Sequence, residues 1–229
     1  MKITAIYGTE HVGSTVELAR MAISQLQPES VTEFFLPRDF DHYCSGCGAC
    51  FTSATPCCVQ AKAQIEPILQ AIEQADILIF ASPVYVYHVT GAMKSFLDHM
   101  GCRWMVHRPN GAMFQKRALL LTTAAGGGMR STLKDLKDSM NFWGVGRVVC
   151  YGKAIRALYW KNVSPQMRAT LARDISKVCD KLQVERPVKP GLTVRLLFRF
   201  FQKLQPLMQN PTDIAYWQAQ GWLSGQKPW

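Results

Sequence analysis

Short apolar segments alternate with amphipathic ones along most of this chain, and that alternation constrains its fold more than any other feature. Five segments are predicted as strands: KITAIY, VTEFFL, ADILIFAS, RALLLTTA and VGRVVCYG. ADILIFAS is almost continuously apolar, which is typical of a parallel strand covered on both faces. Between the strands, apolar residues recur at helical spacing, as in STVELARMAISQL. The pattern predicts a doubly wound α/β domain with a five-stranded parallel sheet over residues 1–184.

Residues 185–229 depart from this alternation and are predicted to form a linker and a C-terminal helical extension. ERPVKPG carries two prolines and a glycine, which favours a linker. In LTVRLLFRFFQKLQPLM, the cations Arg195, Arg199 and Lys203 recur every four residues and therefore fall along one side of a helix. Such an amphipathic helix suits peripheral contact with a membrane or contact with a second subunit. The aromatic-rich segment after it favours the second subunit, because its rings need a surface to pack against.

The positive charge is concentrated at the C-terminal side of the sequence. Residues 1–150 contain 13 Lys and Arg against 12 Asp and Glu, whereas residues 151–229 contain 13 against 4. No nucleic-acid-binding motif accompanies the charge, so no nucleic-acid partner is predicted. No apolar run approaches the roughly 20 residues that cross a bilayer, and polar Glu10 comes too early for a signal peptide. These features predict a cytoplasmic protein, in which structural disulfides are rare.

Three loops follow predicted strands and should meet at the carboxyl edge of the sheet, where open α/β sheets bind ligands. GTEHVGST offers backbone N–H groups and the hydroxyls of Thr9, Ser14 and Thr15 to a phosphate. It lacks both the Walker lysine and GxGxxG. SPVYVYHVTGAMKSFLD presents Tyr85 and its neighbours, and TTAAGGGM permits close approach of backbone to a flat ligand. No Ser-His-Asp or paired-carboxylate arrangement is present, so no catalytic side chain is predicted.

A compact cysteine run, YCSGCGACFTSATPCCVQ, lies between the second strand and the next helix. Cys44, Cys47 and Cys50 are spaced C-x2-C-x2-C, Cys57 follows, and Cys58 is its neighbour. Four thiolates suit a [4Fe-4S] cluster or tetrahedral zinc. Zinc is the less favoured metal, because structural zinc usually joins two separated pairs. Alternatively, the loop buries its thiols as small hydrophobes.

GTEHVGST, ADILIFASPVYVYHVTGAMKSFLDH and the cysteine run together resemble the NAD(P)H-dependent FMN reductases and iron-sulfur flavoproteins, which have a flavodoxin-like fold. The resemblance covers roughly residues 1–184. It departs in the first loop, where members commonly carry Arg or Lys and this chain has Glu10 and His11. By position it assigns FMN to eleven residues: Thr9, Gly13, Ser14 and Thr15 for the phosphate, Pro83, Val84, Tyr85 and Val86 for the ring, and Ala125, Gly126 and Gly127 for its far edge.

The resemblance also implies an activity. It implies hydride transfer from NAD(P)H, through FMN, to a small acceptor such as a quinone or a flavin, by a homodimer. The alternative is an electron carrier with FMN and a [4Fe-4S] cluster, fed by a protein donor. In that case Cys44, Cys47, Cys50 and Cys57, or Cys58 in place of Cys57, would be the cluster ligands.

Overall fold

The predicted strands form one parallel sheet in the computed structural model, which describes residues 1–53, 55, 57–157, 159–183 and 187–229. The strand order is β2-β1-β3-β4-β5, which is the flavodoxin order. In register, Ile3 of β1 lies between Val31 of β2 and Ile77 of β3. The strands are Lys2–Tyr7 (β1), Ser30–Phe35 (β2), Ile77–Pro83 (β3), Arg117–Ala124 (β4) and Arg147–Ala154 (β5).

Helices cover both faces of the sheet, as a doubly wound domain requires. α1 and α6 pack on one face, with Val16 and Ile175 against Ile79 of β3. The other face carries Phe80, against which helices α3, α4 and α5 pack. The α-helices of the described residues are Ser14–Leu26 (α1), Ala49–Thr52 (α2), Lys62–Gln74 (α3), Gly91–His99 (α4), Met129–Trp143 (α5), Pro165–Leu182 (α6), Leu192–Leu204 (α7) and Pro211–Ala219 (α8).

The C-terminal helices pack on the same chain. Phe198 of α7 stacks on Trp217 of α8 with ring centroids 5.2 Å apart, and both contact Trp222. Phe114, from the segment before β4, completes this third apolar cluster. The packing that the sequence analysis assigned to a second subunit is therefore provided by the chain itself.

The predicted boundary between the domain and the extension, at residues 184 and 185, lies outside the described residues. The helical extension itself is confirmed, since α7 begins at Leu192 and α8 follows it. No helix within the described ranges is both long enough and apolar enough to cross a bilayer.

Candidate functional site

A cleft of about 730 Å³ opens at the carboxyl ends of the strands. It lies where the strand order reverses between β1 and β3, the position at which flavodoxin-type sheets bind their ligands. Loops after β1, β3, β4 and β5 contribute to its wall. Eight residues assigned by the resemblance line it: Thr9, Gly13, Ser14, Thr15, Pro83, Val84, Tyr85 and Ala125.

The first loop reverses direction before α1 begins. The Gly8 N–H donates to the Ala81 carbonyl at 2.8 Å, and the His11 N–H donates to Thr9 Oγ1 at 3.1 Å. A Cβ atom on Gly8 would lie 2.9 Å from the Ser82 hydroxyl, so the close approach of this loop to β3 requires glycine. Gly13 is the N-cap residue of α1, and no side chain of the described residues caps the start of this helix. The N–H groups of its first turn therefore face the cleft as an anion-binding site.

Two hydroxyl groups at the start of α1 extend this site. Thr15 Oγ1 lies 2.6 Å from Thr123 Oγ1, which joins the first loop to the end of β4. Ser14 Oγ is buried and has no hydrogen-bond partner among the residues that the structure describes. A buried hydroxyl left unpaired costs about 1–3 kcal/mol. A phosphate oxygen would provide the missing partner, so the residues present fit the phosphate end of FMN.

Residues 85–88 form a tight turn at the end of the second loop. Tyr85 and His88 exchange two backbone hydrogen bonds of 3.0 Å each. Val86 and Tyr87 between them have φ of 47° and 67°, the left-handed region, which costs roughly 1–2 kcal/mol for each non-glycine residue. His88 Nδ1 lies 2.9 Å from Asp135 Oδ2 of α5, which anchors the turn. Val86 is 94% exposed, so a strained apolar turn projects into solvent.

Of the three glycines after β4, Gly128 packs tightly against this turn. At Gly128, φ is +90° and a Cβ atom would lie 2.6 Å from Val84 Cγ1, so only glycine fits there. At Gly127, a Cβ atom would lie 3.9 Å from the Tyr87 ring. Gly126, Gly127 and Val86 do not themselves line the cleft. Their assignment to FMN stays a prediction.

The loop after β5 was missed by the sequence analysis. Arg156 and Tyr159 line the cleft, and the His11 ring lies edge-on to Tyr159 at 6.4 Å. Among the described lining residues, Arg156 is the one Lys or Arg, and no Asp or Glu is present. Glu10 is exposed and outside the lining. Arg156 thus brings a cation that the first loop lacks. The signal was available, because a fifth parallel strand must also end at this edge.

One protein-family model matches most of this chain. A model described as NADPH-dependent FMN reductase matches residues 1–155. The chain belongs to this family.

Individual relatives share part of their sequence with this chain. An iron-sulfur flavoprotein of Archaeoglobus fulgidus is 31% identical over 103 residues, which cover 44% of this chain and 46% of the relative. FMN-dependent NADH:quinone oxidoreductase 3 of Pseudomonas aeruginosa is 29% identical over 87 residues, covering 34% and 41%. The chain spans less than half the length of each of these relatives. The apo structure of an NADH:FMN oxidoreductase superposes with a TM-score of 0.57 at 22% identity, covering 84% of this chain and 95% of that one, which confirms the flavodoxin-like fold.

The cysteine side chains of this FMN reductase family member do not converge on one point. Cys44 and Cys47 are exposed, Cys50 is half-buried and Cys57 is buried. The Cys57 thiol is in the core and donates to the Cys58 carbonyl at 3.7 Å. Within the described ranges, no three His, Cys, Asp or Glu side chains lie close enough together to hold a metal ion. The positions of these cysteine side chains do not fit a [4Fe-4S] cluster. The assignment of the four cysteines as cluster ligands stays a prediction.

A buried arginine holds the backbone of this cysteine run. Arg108 is 1% exposed and donates through Nη2 to the Cys50 carbonyl at 2.5 Å and through Nη1 to the Ser53 carbonyl at 2.6 Å. Its Nε lies 3.1 Å from Asp213 Oδ1 of α8, and this carboxylate is also 1% exposed. The cysteine loop is therefore joined to the C-terminal extension through a buried ion pair.

Neighbouring polar groups complete what we call the Arg108 network: Arg108, Asp213, His107 and Asn210. Asp213 Oδ2 accepts from Asn210 Nδ2 at 2.8 Å and lies 2.7 Å from His107 Nδ1. Asn210 also donates to the Phe51 carbonyl at 3.4 Å, and the Phe51 ring lies 4.2 Å from the His107 ring. The second Asp213 oxygen is thus hydrogen-bonded, as a buried carboxylate requires.

Alkylation by iodoacetamide should separate the cysteines into two classes. Cys44 and Cys47 are exposed and should be modified in the native protein. Burial raises the pKa of Cys102 to about 12 and that of Cys179 to about 11, so both thiols stay protonated at neutral pH. Because the thiolate is the reactive form, these two should be modified only after unfolding. Peptide mass spectrometry gives the rates, and equal labelling of all four would contradict the expected burial.

Proposed function

We propose that this protein is an FMN-dependent oxidoreductase that takes hydride from NADH or NADPH and passes the electrons to a small acceptor, such as a quinone or a free flavin. The observation that carries the proposal is the buried Ser14 hydroxyl at the uncapped start of α1, which has no hydrogen-bond partner in the described part of the chain. It lies in a cleft at the β1/β3 edge of the sheet. Membership of the FMN reductase family supports the same activity.

The side chains would bind and orient the cofactor. FMN, when bound, supplies the hydride and electron chemistry. Ser14 and the N–H groups of the first turn of α1 would hold its phosphate. Tyr85 and Ala125 would contact the ring, and Arg156 would add a positive charge to the same cleft. Because the cofactor performs the redox chemistry, no side-chain acid or base is assigned.

The cleft also suits the proposed donor and acceptor. Tyr85 is more than half exposed at the cleft wall, and its ring offers a face on which a nicotinamide or a quinone would stack. The described lining carries Arg156 and no carboxylate, so the phosphates of NADH or NADPH would meet no repulsion from an Asp or Glu there.

Anaerobic titration tests this proposal. The purified protein, reconstituted with FMN, should show an oxidised flavin spectrum that bleaches on addition of NADH or NADPH and returns on addition of a quinone. Comparison of the two nucleotides at equal concentration assigns the donor. Protein that binds no FMN would refute the proposal. Protein that binds FMN but is reduced by neither nucleotide would refute the reductase activity alone.

A second candidate is an electron carrier with FMN and a [4Fe-4S] cluster, reduced by a protein donor. It is supported by the C-x2-C-x2-C spacing and by the similarity to an iron-sulfur flavoprotein. Holding a cluster would require Cys44, Cys47, Cys50 and Cys57 or Cys58 to converge, which is a rearrangement of the loop. Iron and sulfide assayed in anaerobically purified protein decide this candidate. Roughly four irons per chain, as a cubane requires, would support it, and iron-free protein would exclude it.

We infer that the working unit is a homodimer that covers the turn at residues 85–88. The turn exposes the apolar residues Tyr85, Val86 and Tyr87 beside the cleft, and adjacent exposed apolar side chains mark interaction surfaces. Val86→Glu is expected to convert the dimer to a monomer, because it places a charge in the interface core. Light scattering after gel filtration measures the mass. Val31→Glu, at an exposed valine on β2, is the matched control. A wild-type monomer, or a dimer that persists in V86E, would contradict the inference.

A further inference from the structure

Helix α7 exposes apolar side chains although its other face is already buried. Val194, Phe198 and Phe201 pack into the third apolar cluster. On the opposite side, Leu192 is 70% exposed, Leu196 is 56% exposed and Phe200 is 58% exposed. Their four-residue spacing places them in one row along the helix, which we call the exposed row. The packing of this chain does not account for the row.

Cations flank the exposed row. Arg195, Arg199 and Lys203 are exposed and share its four-residue spacing, so they form a second row beside it. Arg195 also lines a neighbouring cleft of about 850 Å³ together with Lys189 and Arg117, so the basic surface continues beyond the helix.

Among residues 187–229, no exposed acidic side chain offsets this charge. Residues 187–229 contain five Lys and Arg and a single Asp or Glu, which is Asp213. Asp213 is buried and paired with Arg108. The described part of the extension therefore carries positive charge without an exposed Asp or Glu side chain.

We propose that the exposed row and its flanking cations bind the surface of a bilayer that contains anionic phospholipid. Apolar side chains would enter the headgroup region, while the long Arg and Lys side chains reach the lipid phosphates. α7 has 13 residues and is therefore roughly 20 Å long at 1.5 Å per residue, which suits a helix lying in the plane of the membrane. This surface is separate from the cleft, so the inference does not depend on the proposed activity.

Charge complementarity favours lipid over the other occupants. A second copy of the chain docked through the same face would place Arg195, Arg199 and Lys203 against the same cations of its partner, which is repulsive. A nucleic acid would bind the cations but would not contact the apolar side chains of the exposed row, because the affinity of proteins for nucleic acids comes mainly from phosphate contacts.

Vesicle co-sedimentation of the full chain tests the proposal, with phosphatidylcholine alone compared with phosphatidylcholine and phosphatidylglycerol. The wild type should bind the mixed vesicles and release them as salt is raised. R195Q/R199Q/K203Q should lower the partition coefficient about 100-fold, given the known contribution of each basic residue near an anionic surface. L196Q/F200Q should lower it about 10-fold or more, through lost apolar burial.

The matched control is R173Q/K177Q/K181Q on α6, which removes three exposed cations with the same four-residue spacing. It should bind vesicles as the wild type does. Failure of the wild type to bind mixed vesicles, or equal loss in the control, would overturn the proposal. A change in oligomeric mass in L196Q/F200Q without any vesicle binding would assign the face to a second copy. The flavin spectrum and circular dichroism of each variant show that the fold is intact.

Discussion

Asp213→Leu is expected to lower the free energy of unfolding by about 3–5 kcal/mol, the usual effect of removing one partner from a buried ion pair. The substitution leaves Arg108, which is 1% exposed, without its carboxylate. It also removes the acceptor for Asn210 and His107. Since small domains are stable by only about 5–15 kcal/mol, the loss is a large fraction of the total. Urea unfolding at neutral pH measures it.

A double-mutant cycle isolates the ion pair. Arg108→Met alone should also be strongly destabilising, whereas R108M/D213L should cost clearly less than the sum of the two, because it leaves no unpaired buried charge. Asp138→Ala is the control, since its pair with Lys134 on α5 is exposed and should contribute less than about 1 kcal/mol. If D213L were no more destabilising than D138A, the Arg108 network would not stabilise the fold.

Ser14→Asp should abolish most FMN affinity without unfolding the protein. A carboxylate about 5 Å from the phosphate at an effective dielectric constant of about 20 costs roughly 3 kcal/mol, or about 200-fold in the dissociation constant. At the first residue of α1, the same charge interacts favourably with the helix dipole, so the melting temperature should hold. Ser14→Ala, which removes only a hydrogen bond to a charged group, should weaken binding about 10-fold or more.

Flavin fluorescence titration of the apoprotein measures these affinities, and riboflavin provides the decisive comparison. Because riboflavin lacks the phosphate, S14D should bind it as the wild type does. Ser176→Asp, at an exposed serine on α6, controls for added charge and should leave both affinities unchanged. Equal FMN binding by S14D and the wild type would show that the phosphate lies away from α1.

The sheet was predictable from the sequence because its central strands β1, β3 and β4 are buried almost throughout. RALLLTTA is confirmed as β4, Arg117–Ala124, and STVELARMAISQL as α1, Ser14–Leu26. β5 was predicted over residues 145–152 and spans Arg147–Ala154. Val145 and Gly146 instead lead into it, with a Cβ on Gly146 meeting the Phe114 carbonyl at 2.2 Å. Tertiary contacts of this kind set element boundaries, and local periodicity does not contain them.

Helix α8 was not predicted, although its start signal is present in the sequence. Asn210 accepts hydrogen bonds from the N–H groups of Thr212 and Asp213, and Pro211 occupies the first turn. The large apolar residues after Pro211 are mostly aromatic and pack on α7 and on Phe114. Their spacing therefore does not show a clear helical period. The contribution of Arg156 to the cleft was missed for a related reason. A single arginine in a loop can be assigned to the cleft only once the structure shows that the loops after β1, β3, β4 and β5 meet there.

The bond between Asn210 and the Phe51 carbonyl joins residues that are 159 positions apart. On the ribosome, the cysteine segment is therefore made long before the residues that fix it, and contacts of such sequence separation form late in folding. Until residue 213 is synthesised, the ion pair between Arg108 and Asp213 cannot form, so the extension does not yet hold the arginine that donates to the Cys50 carbonyl. Translation thus sets an interval in which the cysteine segment of the nascent chain lacks its contacts with the extension, and completion of α8 ends it.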